Sequence, residues 1–256
     1  MIMDLRANVV GMVDIGVDNK KNDDRIMIQK NVYKSGIYEN IFSLPFHCAI
    51  CDGVGGVEDG DKAAEFVLNK LTEKQLDLVS GIDEMKSVLN DVNQKLISFQ
   101  LDNKVVHGMK TTLVGISLYE DRVIYYNSGD SRLYRMRAGV LCKLSEDHSI
   151  AQEMILNGLI TENFEEELMK CSQITRCLGV KDVLPPYIKK INIPALYNDI
   201  YLLCSDGLWG VVNDGAIGSI LGKNNSLKEK LNELYRMAED NGSKDNISII
   251  IIKIEH

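Results

Sequence analysis

The stretch Ala49-Ile50-Cys51-Asp52-Gly53-Val54-Gly55-Gly56 is the part of the chain from which its fold and chemistry are worked out. The apolar run 46–51 predicts a buried strand that ends at the carboxylate of Asp52. The glycines that follow permit positive φ and close approach of the backbone to a ligand, which suits a hard cation bound by that carboxylate. Asp-Gly is also a common turn pair, so this stretch by itself leaves a plain turn open.

Other apolar runs in the chain also carry an aspartate at one end. Chance accounts for some of these, because the chain has 37 acidic residues. The repetition nevertheless predicts that the carboxylates converge at one rim of a sheet. The positions are Asp206 after 200–205, Asp130 after 123–129, Asp245 before 247–252, and the pair Asp23 and Asp24 before 26–28.

The composition limits the possible classes of protein. The 256 residues are 45% hydrophobic, enough for one large domain or two small ones. The formal net charge of −8 argues against nucleic-acid binding through a basic surface. No apolar run reaches the ~18 residues of a membrane helix, and Asp4 and Arg6 interrupt the segment where a signal peptide would be apolar. Cys48 and Cys51 lie in an apolar run without a second matching pair, which predicts reduced core thiols in a cytoplasmic protein.

The periodicity of apolar residues predicts blocks of strands and blocks of helices, with 33–44 irregular. Tight connectors between the four short strands of 111–142 predict an antiparallel meander. The expected class is α+β, with two antiparallel sheets and helices outside them. Strands are predicted at 7–17, 25–30, 46–51, 111–118, 122–128, 131–136, 139–142, 187–193, 199–204 and 246–254, and helices from 58, then at 82–101, 149–157, 213–221 and 226–240.

Taken in order, the polar motifs resemble those of the metal-dependent serine/threonine protein phosphatases of the 2C type, over roughly 8–254. The resemblance is closest to short bacterial members, which oppose serine/threonine kinases. It implies a four-layered αββα sandwich, one phosphatase domain over 1–256, and a flap subdomain around 145–172. The motifs are Asp14-x-Gly16, Asn22-Asp23-Asp24, Asp52-Gly53-x-Gly55-Gly56, Gly108-Met109-x-Thr111-Thr112, Gly129-Asp130-Ser131-Arg132, Asp147-His148-Ser149, Thr175-Arg176-x-Leu178-Gly179, Ser205-Asp206-Gly207-Leu208 and Asp245-Asn246.

The resemblance also implies a role for each residue at the matching positions. Asp52 would bridge two metal ions, Asp206 and Asp245 would hold the first, and the Gly53 carbonyl with Asp23 would serve the second. Asp24 would orient the metal-bound water that acts as the nucleophile. Asp130 would hold a third, weaker ion, with Ser172 beside it.

The residue types support this chemistry. Ligands that are oxygen atoms alone select Mg²⁺ or Mn²⁺ over zinc. Two such ions lower the pKa of a bridging water and stabilise charge on phosphoryl oxygens, so hydroxide attacks phosphorus directly. No phospho-enzyme is needed, and no nucleophilic cysteine or serine is evident.

Two positions depart from the family pattern. Asn19 stands where the family has an arginine that grips the substrate phosphate, and an amide lacks the charge and the bidentate fork. Lys20 or Lys21 would supply a point charge if they do not simply face solvent. Val54 stands where many eukaryotic members have a histidine proposed as general acid. His148 is a weak replacement, and we expect it to hold the local structure of the flap.

Three functions are compatible with the motifs. The first is hydrolysis of phosphoserine and phosphothreonine on proteins, with phosphorylated proteins as partners, including a cognate serine/threonine kinase. The second is a weak or inactive pseudophosphatase that acts as a binding or regulatory module, motivated by Asn19. The third is a metal-dependent phosphodiesterase or nuclease, which the acidic composition disfavours. We expect a monomer that binds neither nucleic acid nor membrane.

Overall fold

The computed structural model describes residues 5–17, 19–54, 59–105, 108–158, 173–181 and 185–256. Its strands are β1 (Arg6–Asp14), β2 (Arg25–Ile28), β3 (Asn31–Tyr33), β4 (Gly36–Ser43), β5 (Phe46–Cys51), β6 (Leu113–Leu118), β7 (Val123–Ser128), β8 (Arg132–Arg137), β9 (Val140–Lys143), β10 (Tyr187–Ile191), β11 (Ile200–Cys204) and β12 (Ile247–Glu255). Its helices are α1 (Gly60–Thr72), α2 (Ile82–Asp102), α3 (Ile150–Leu156), α4 (Asp206–Trp209), α5 (Asp214–Leu221) and α6 (Leu227–Asp240), with a 3₁₀ turn at Leu76–Leu78.

The strands form two six-stranded sheets. Sheet 1 has the order β4-β1-β12-β11-β8-β9, and sheet 2 has the order β10-β7-β6-β5-β2-β3. Neighbouring strands are antiparallel in both sheets. The predicted α+β class with two antiparallel sheets is therefore confirmed.

Three hydrophobic clusters show how the layers are stacked. One cluster joins the inner faces of the two sheets, with Phe46, Tyr201 and Ile252 among its members. A second joins sheet 2 to α1 and α2 through residues such as Leu68 and Leu89. The third joins sheet 1 to α5 and α6, so the layers run helix, sheet, sheet, helix as the resemblance implies.

The sequence explains why particular elements form where they do. All six residues of β5 are buried, since this central strand is covered on both faces, and it therefore has a continuous apolar run instead of alternation. Helix α6 begins at a capping box, in which Ser226 and Glu229 each bond the other's backbone N–H. Its apolar stripe, which includes Leu231 and Leu234, faces the core.

The predicted helices at 82–101, 213–221 and 226–240 match α2, α5 and α6, and each end agrees within one residue. The prediction that 33–44 is irregular is wrong. Residues 36–43 form β4, which pairs with β1 from Val13 opposite Gly36 to Arg6 opposite Ser43. The error has a physical cause: β4 is an edge strand whose exposed residues interrupt the apolar pattern.

The four strands predicted as one meander are divided between the two sheets. β6 pairs with β7 in sheet 2, whereas β8 pairs with β9 in sheet 1. The chain crosses between the sheets at Gly129, which has φ +108° and is so close to Thr112 that an added Cβ would lie 2.7 Å from that side chain. Only glycine adopts this conformation without strain. Because Asp130 is the next residue, the crossing at Gly129 sets its position.

Among the residues described, none of the helices combines the length and apolarity needed to cross a bilayer.

Candidate metal centre

The strand register brings the predicted carboxylates to one end of the sandwich. In sheet 1, Asp206 follows β11 and Asp245 precedes β12, and Cys204 and Ile249 pair at that end. In sheet 2, Asp24 precedes β2 and Asp52 follows β5, with Arg25 opposite Cys51. The prediction of one rim of one sheet is therefore wrong in detail, because both sheets contribute.

The electrostatics show that these carboxylates act on one another. Burial raises the pKa of Asp52 well above its usual range, and repulsion from Asp24, Asp206, Asp130 and Asp245 raises it further. The pKa of Asp206 is also raised well above its usual range by burial, then by Asp130, Asp245 and Asp24. A desolvated group of like charges is costly unless cations bind to it.

Two further carboxyls of the group shift in the same direction. Burial raises the pKa of Asp24 to about 7, with added repulsion from Asp245 and Asp23. Burial and then Asp147 raise the pKa of Asp130 to about 6. The Oδ1 atom of Asp206 is buried and has no hydrogen-bond partner among the described residues, so a strong acceptor faces the group unsatisfied.

The donor chemistry suits a hard divalent cation, although the side chains are not closely gathered. In the part of the chain that the structure describes, no three His, Cys, Asp or Glu side chains are grouped as a ready-made metal site. The residues fit Mg²⁺ or Mn²⁺ because the converging donors are carboxylate and carbonyl oxygens, and because one of those oxygens lacks any other partner.

The loop that carries Asp23 is fixed by Asn246, a residue of the Asp245-Asn246 motif to which the family resemblance assigns no role here. Asn246 Oδ1 accepts from the backbone N–H of Asp23 at 2.7 Å, and its Nδ2 donates to the carbonyls of Ile15 (2.8 Å) and Lys21 (3.1 Å). Asn246 therefore joins the loop to the start of β12, next to Asp245. Its position directly after that aspartate is the signal that could have identified it.

Asp24 is held from sheet 1 by Ser205, another residue without a predicted role. The Ser205 hydroxyl donates to Asp24 Oδ2 at 2.8 Å and accepts from the N–H of Ser248 at 3.0 Å. Arg25 is buried and donates to the carbonyls of Asn22 and Asp24, both at 2.8 Å. These bonds fix the backbone on both sides of Asp23.

The backbone of Asp52 is held by Thr111 and Thr112, the threonines of the Gly108-Met109-x-Thr111-Thr112 motif. Its N–H donates to Thr112 Oγ1 at 3.1 Å, and its carbonyl accepts from Thr112 N (2.8 Å) and Thr111 Oγ1 (2.9 Å). The Thr112 hydroxyl also bonds the Ser131 hydroxyl at 2.8 Å, which links Asp52 to the Asp130 turn.

Gly53 lies where no larger residue fits. A Cβ added there would lie 2.4 Å from the carbonyl carbon of Gly60, the first residue of α1. The N–H of Gly53 donates to the carbonyl of Asp23 at 3.2 Å. Gly55 and Gly56, which complete the motif, lie outside the described residues.

The predicted phosphate-binding residues lie on the same loop as Asp23 but are placed differently from one another. Asn19 is partly exposed, and its Nδ2 donates to the carbonyl of Lys244 at 3.0 Å. Lys20 is exposed. Lys21 forms ion pairs with Asp23 and Asp61, so its charge is directed at neighbouring carboxylates.

His148 is a structural residue in its hydrogen bonding. The Gly129 N–H donates to its Nδ1 at 3.2 Å, and the His148 N–H donates back to the Gly129 carbonyl at 3.0 Å. Burial, and then Arg176, lower its pKa to about 4. The ring is thus neutral at physiological pH with Nδ1 already occupied, which agrees with its expected role in the local structure of the flap.

The predicted flap is only partly described. Residues 145–158 include α3, whose cap Ser149 accepts from Gln152 N, and none of the residues of α3 is buried. The rest of the predicted flap, 159–172, lies outside the described residues, as does Ser172. A groove of about 540 Å³ lies between α3 on one side and α4 and α5 on the other, and both Asp130 and Asp206 line it.

Comparison with known proteins gives consistent matches over most of the chain. A family model described as protein phosphatase 2C matches residues 19–247. The chain is 28% identical over 229 residues to the serine/threonine phosphatase Stp of Listeria monocytogenes serotype 4b, an alignment that covers 87% of this chain and 90% of that protein.

Solved structures agree with the sequence match. The serine/threonine phosphatase Stp1 from Staphylococcus aureus superposes with a TM-score of 0.82 at 27% identity, covering 97% of this chain and 95% of that chain. The catalytic domain of the phosphatase PstP, in complex with 2 manganese ions, has a TM-score of 0.80 at 24% identity, covering 98% of this chain and 100% of that chain. The second match supports the fold alone.

Proposed function

The chain belongs to the protein phosphatase 2C family, and we propose on that premise that it hydrolyses phosphoserine and phosphothreonine on proteins at a centre of two Mn²⁺ or Mg²⁺ ions. The observation that carries the proposal is the group of buried and half-buried carboxylates with raised pKa values, in which the Oδ1 atom of Asp206 has no hydrogen-bond partner among the described residues. Bound cations would offset the cost of grouping and desolvating these charges.

The family resemblance supports an assignment of the ligands. Asp52, which follows β5, would serve both ions, Asp206 and Asp245 would hold one, and Asp23 with the Gly53 carbonyl would hold the other. Asp130 would hold a third ion more weakly. When bound, the two ions would lower the pKa of a water held between them and withdraw charge from the phosphoryl oxygens.

The remaining steps fall to residues of the chain itself. Asp24, fixed through Ser205 at 2.8 Å, would accept a hydrogen bond from the attacking water and orient it. Val54 cannot donate a proton, and the Nδ1 of His148 already accepts from Gly129. The leaving alkoxide would therefore take its proton from solvent in the groove.

The pseudophosphatase alternative has less support. It was motivated by Asn19 alone, and all of the proposed ligand residues are present. Loss of a phosphate-binding arginine weakens substrate binding, whereas loss of ligands abolishes the centre, so Asn19 predicts an active enzyme with a raised KM.

The test is hydrolysis of p-nitrophenyl phosphate and of phosphothreonine peptides by the purified chain. We expect turnover with Mn²⁺ or Mg²⁺, none in excess chelator, poor turnover with Zn²⁺, and a higher melting temperature when Mn²⁺ is added. Sustained turnover in excess chelator would exclude the metal centre. Binding of Mn²⁺ without turnover of either substrate would favour the pseudophosphatase.

A further inference from the structure

We propose that Arg132 is a positioning residue, which fixes the helix that carries Asp206 and the start of the flap against the Asp130 turn. This inference rests on the proposed function. Arg132 is the first residue of β8 and follows Asp130 by two positions. Its side chain is 14% exposed and lies in the wall of the groove beside the carboxylates.

The first contact of Arg132 is with the start of the flap. Its Nε donates to both oxygens of Asp147, at 3.0 and 3.2 Å, and its Nη2 donates to Oδ2 at 2.7 Å. Lys143 Nζ reaches the same Oδ2 at 3.1 Å. Because His148, the next residue, is bonded to Gly129, the segment before α3 is tied to the Asp130 turn twice.

The second contact is with α4. The guanidinium lies over the ring of Trp209, with 3.7 Å between its central carbon and the ring centroid. Trp209 is the last residue of the four-residue helix that Asp206 begins. Arg132 Nη1 also donates to the hydroxyl of Tyr134 at 3.1 Å, and that hydroxyl donates to Asp214 at 2.8 Å.

These contacts have a consequence for Asp206. The Oδ1 atom of Asp206 has no hydrogen-bond partner among the described residues, so contacts of this oxygen do not fix the side chain. The helix that Asp206 begins is a single turn, which packing must fix from outside. Arg132 supplies that packing at the other end of the turn through a cation–π stack, and a lysine there would lose both the planar stack and the fork to Asp147.

Strand β8 contains a matched control at its other end. Arg137 makes the same kind of two-pronged contact, with Nε donating to Asp199 Oδ1 at 2.7 Å and Nη2 donating to Oδ2 at 2.6 Å. It lies five residues along the strand from Arg132, away from the carboxylate group. Arg137→Lys therefore removes an equivalent two-pronged contact, while keeping the charge, without touching α4 or the segment before α3.

The experiment compares Arg132→Lys and Arg137→Lys with the unaltered chain. Trp209 is the only tryptophan of the 256 residues, so its fluorescence reports on the stack directly. Acrylamide quenching of Trp209 in chelator should increase severalfold in Arg132→Lys and stay unchanged in Arg137→Lys. Calorimetric titration should show Mn²⁺ affinity about tenfold weaker in Arg132→Lys alone, although both variants melt earlier.

The outcomes separate this inference from the proposed function. Unchanged quenching in Arg132→Lys, or equal loss of Mn²⁺ affinity in both variants, would overturn the positioning role while leaving a metal-dependent enzyme. If quenching rises in Arg132→Lys but the unaltered chain binds no Mn²⁺, the proposed function fails, and with it the claim that Arg132 positions a metal ligand. A tenfold loss of kcat/KM that excess Mn²⁺ partly restores would support the inference.

Discussion

Strands β8 and β11 are neighbours in sheet 1. An arginine stands at each end of β8, and an aspartate lies close to each end of β11. The two aspartates, Asp199 and Asp206, have opposite surroundings. At the end away from the groove, Asp199 is almost fully buried and accepts from both nitrogens of Arg137 and from the N–H of Leu196 at 2.8 Å. At the groove end, Asp206 follows β11 with Oδ1 buried and unpartnered among the described residues.

The difference separates a carboxylate that holds the fold together from one that binds something else. Breaking a satisfied buried ion pair destabilises a protein, because it leaves the partner charge unpaired. A buried oxygen without a donor destabilises the fold, and under the proposed function a cation would satisfy it. The two ends of the β8–β11 pair therefore suggest a rule that mutagenesis can test: a polar group whose hydrogen bonds are satisfied stabilises the fold, and one left unsatisfied serves the function.

The largest expected effect comes from exchanging the two aspartates for asparagine in turn. Asp206→Asn should lower kcat/KM by about a thousandfold or more, since it weakens a ligand of the centre, and should raise the melting temperature in chelator by relieving repulsion. Asp199→Asn should cost about 2 kcal/mol of unfolding free energy and leave kcat/KM of the folded protein nearly unchanged.

Kinetics and melting in chelator, measured on both variants, decide the matter. If Asp206→Asn kept more than about a tenth of the rate, worth only ~1.4 kcal/mol of barrier, Asp206 would not be a ligand of the catalytic ions. If Asp199→Asn lost activity as severely, the two ends would not differ in function.

A medium-sized effect is expected from pH at the groove end, through His148. The pKa of the His148 ring is lowered to about 4 in the fold, from about 6.5 in the unfolded chain. Above pH 6.5 the ring is neutral in both states, so the folded protein keeps its full stability. That stability is lost as pH falls from 6.5 towards 4, because the unfolded chain takes up the proton first. His148→Gln keeps an acceptor for Gly129 without titrating. Relative to it, the unaltered chain should lose about 1.4 kcal/mol between pH 7.5 and 5.5.

Urea unfolding of both proteins across that pH range, in chelator, provides the measurement. The carboxylates shift stability in the opposite direction, but they are present in both proteins and cancel in the difference. A difference that does not vary with pH would mean that the pKa of the ring is the same in the folded and unfolded protein, contrary to its buried acceptor role at Nδ1.

The sequence predicted the parts of this structure that short-range pattern controls. Buried strands such as β5 and β12 have continuous apolar runs, and α6 has both a capping box and a stripe. The edge strand β4 was missed because its outer residues are exposed and its partner is far away in the sequence. The change of sheet at Gly129 was missed because a tight turn within one sheet and a crossing between sheets use the same residue types.

At the site, acidic residues were easier to predict than the groups that hold them. Asp52 and Asp206 follow apolar runs, which a single pass along the chain reveals. Asn246, Ser205 and Arg132 act through contacts with residues tens to hundreds of positions away, so no local pattern marks them. Asn19 was read as a phosphate contact, yet its hydrogen bond is to a backbone carbonyl, and its role in substrate binding stays a prediction.

Asn19 gives the smallest expected effect and the sharpest test of the rule, because it is a satisfied polar group at the functional end. Its amide bonds the carbonyl of Lys244, next to Asp245, in a partly exposed place. By the rule, Asn19→Ala should cost under about 1 kcal/mol of stability and leave kcat unchanged. Asn19→Arg should restore a charge for the phosphate and improve kcat/KM about fivefold, mostly through KM, because a charge-assisted contact exceeds a neutral one by roughly 1 kcal/mol in an open site.

Steady-state kinetics at low and high salt distinguish the possible results for Asn19→Arg. A gain in KM that shrinks with salt would place residue 19 beside the phosphate, since screening weakens exposed charges. An unchanged KM would indicate that Lys20 already supplies the charge, and Lys20→Ala should then raise KM. A fall in kcat with Asn19→Ala would show that the bond to Lys244 positions Asp245. A polar group with satisfied hydrogen bonds would then serve the function. The contrast between the two ends of β8 and β11 would not extend to the loops.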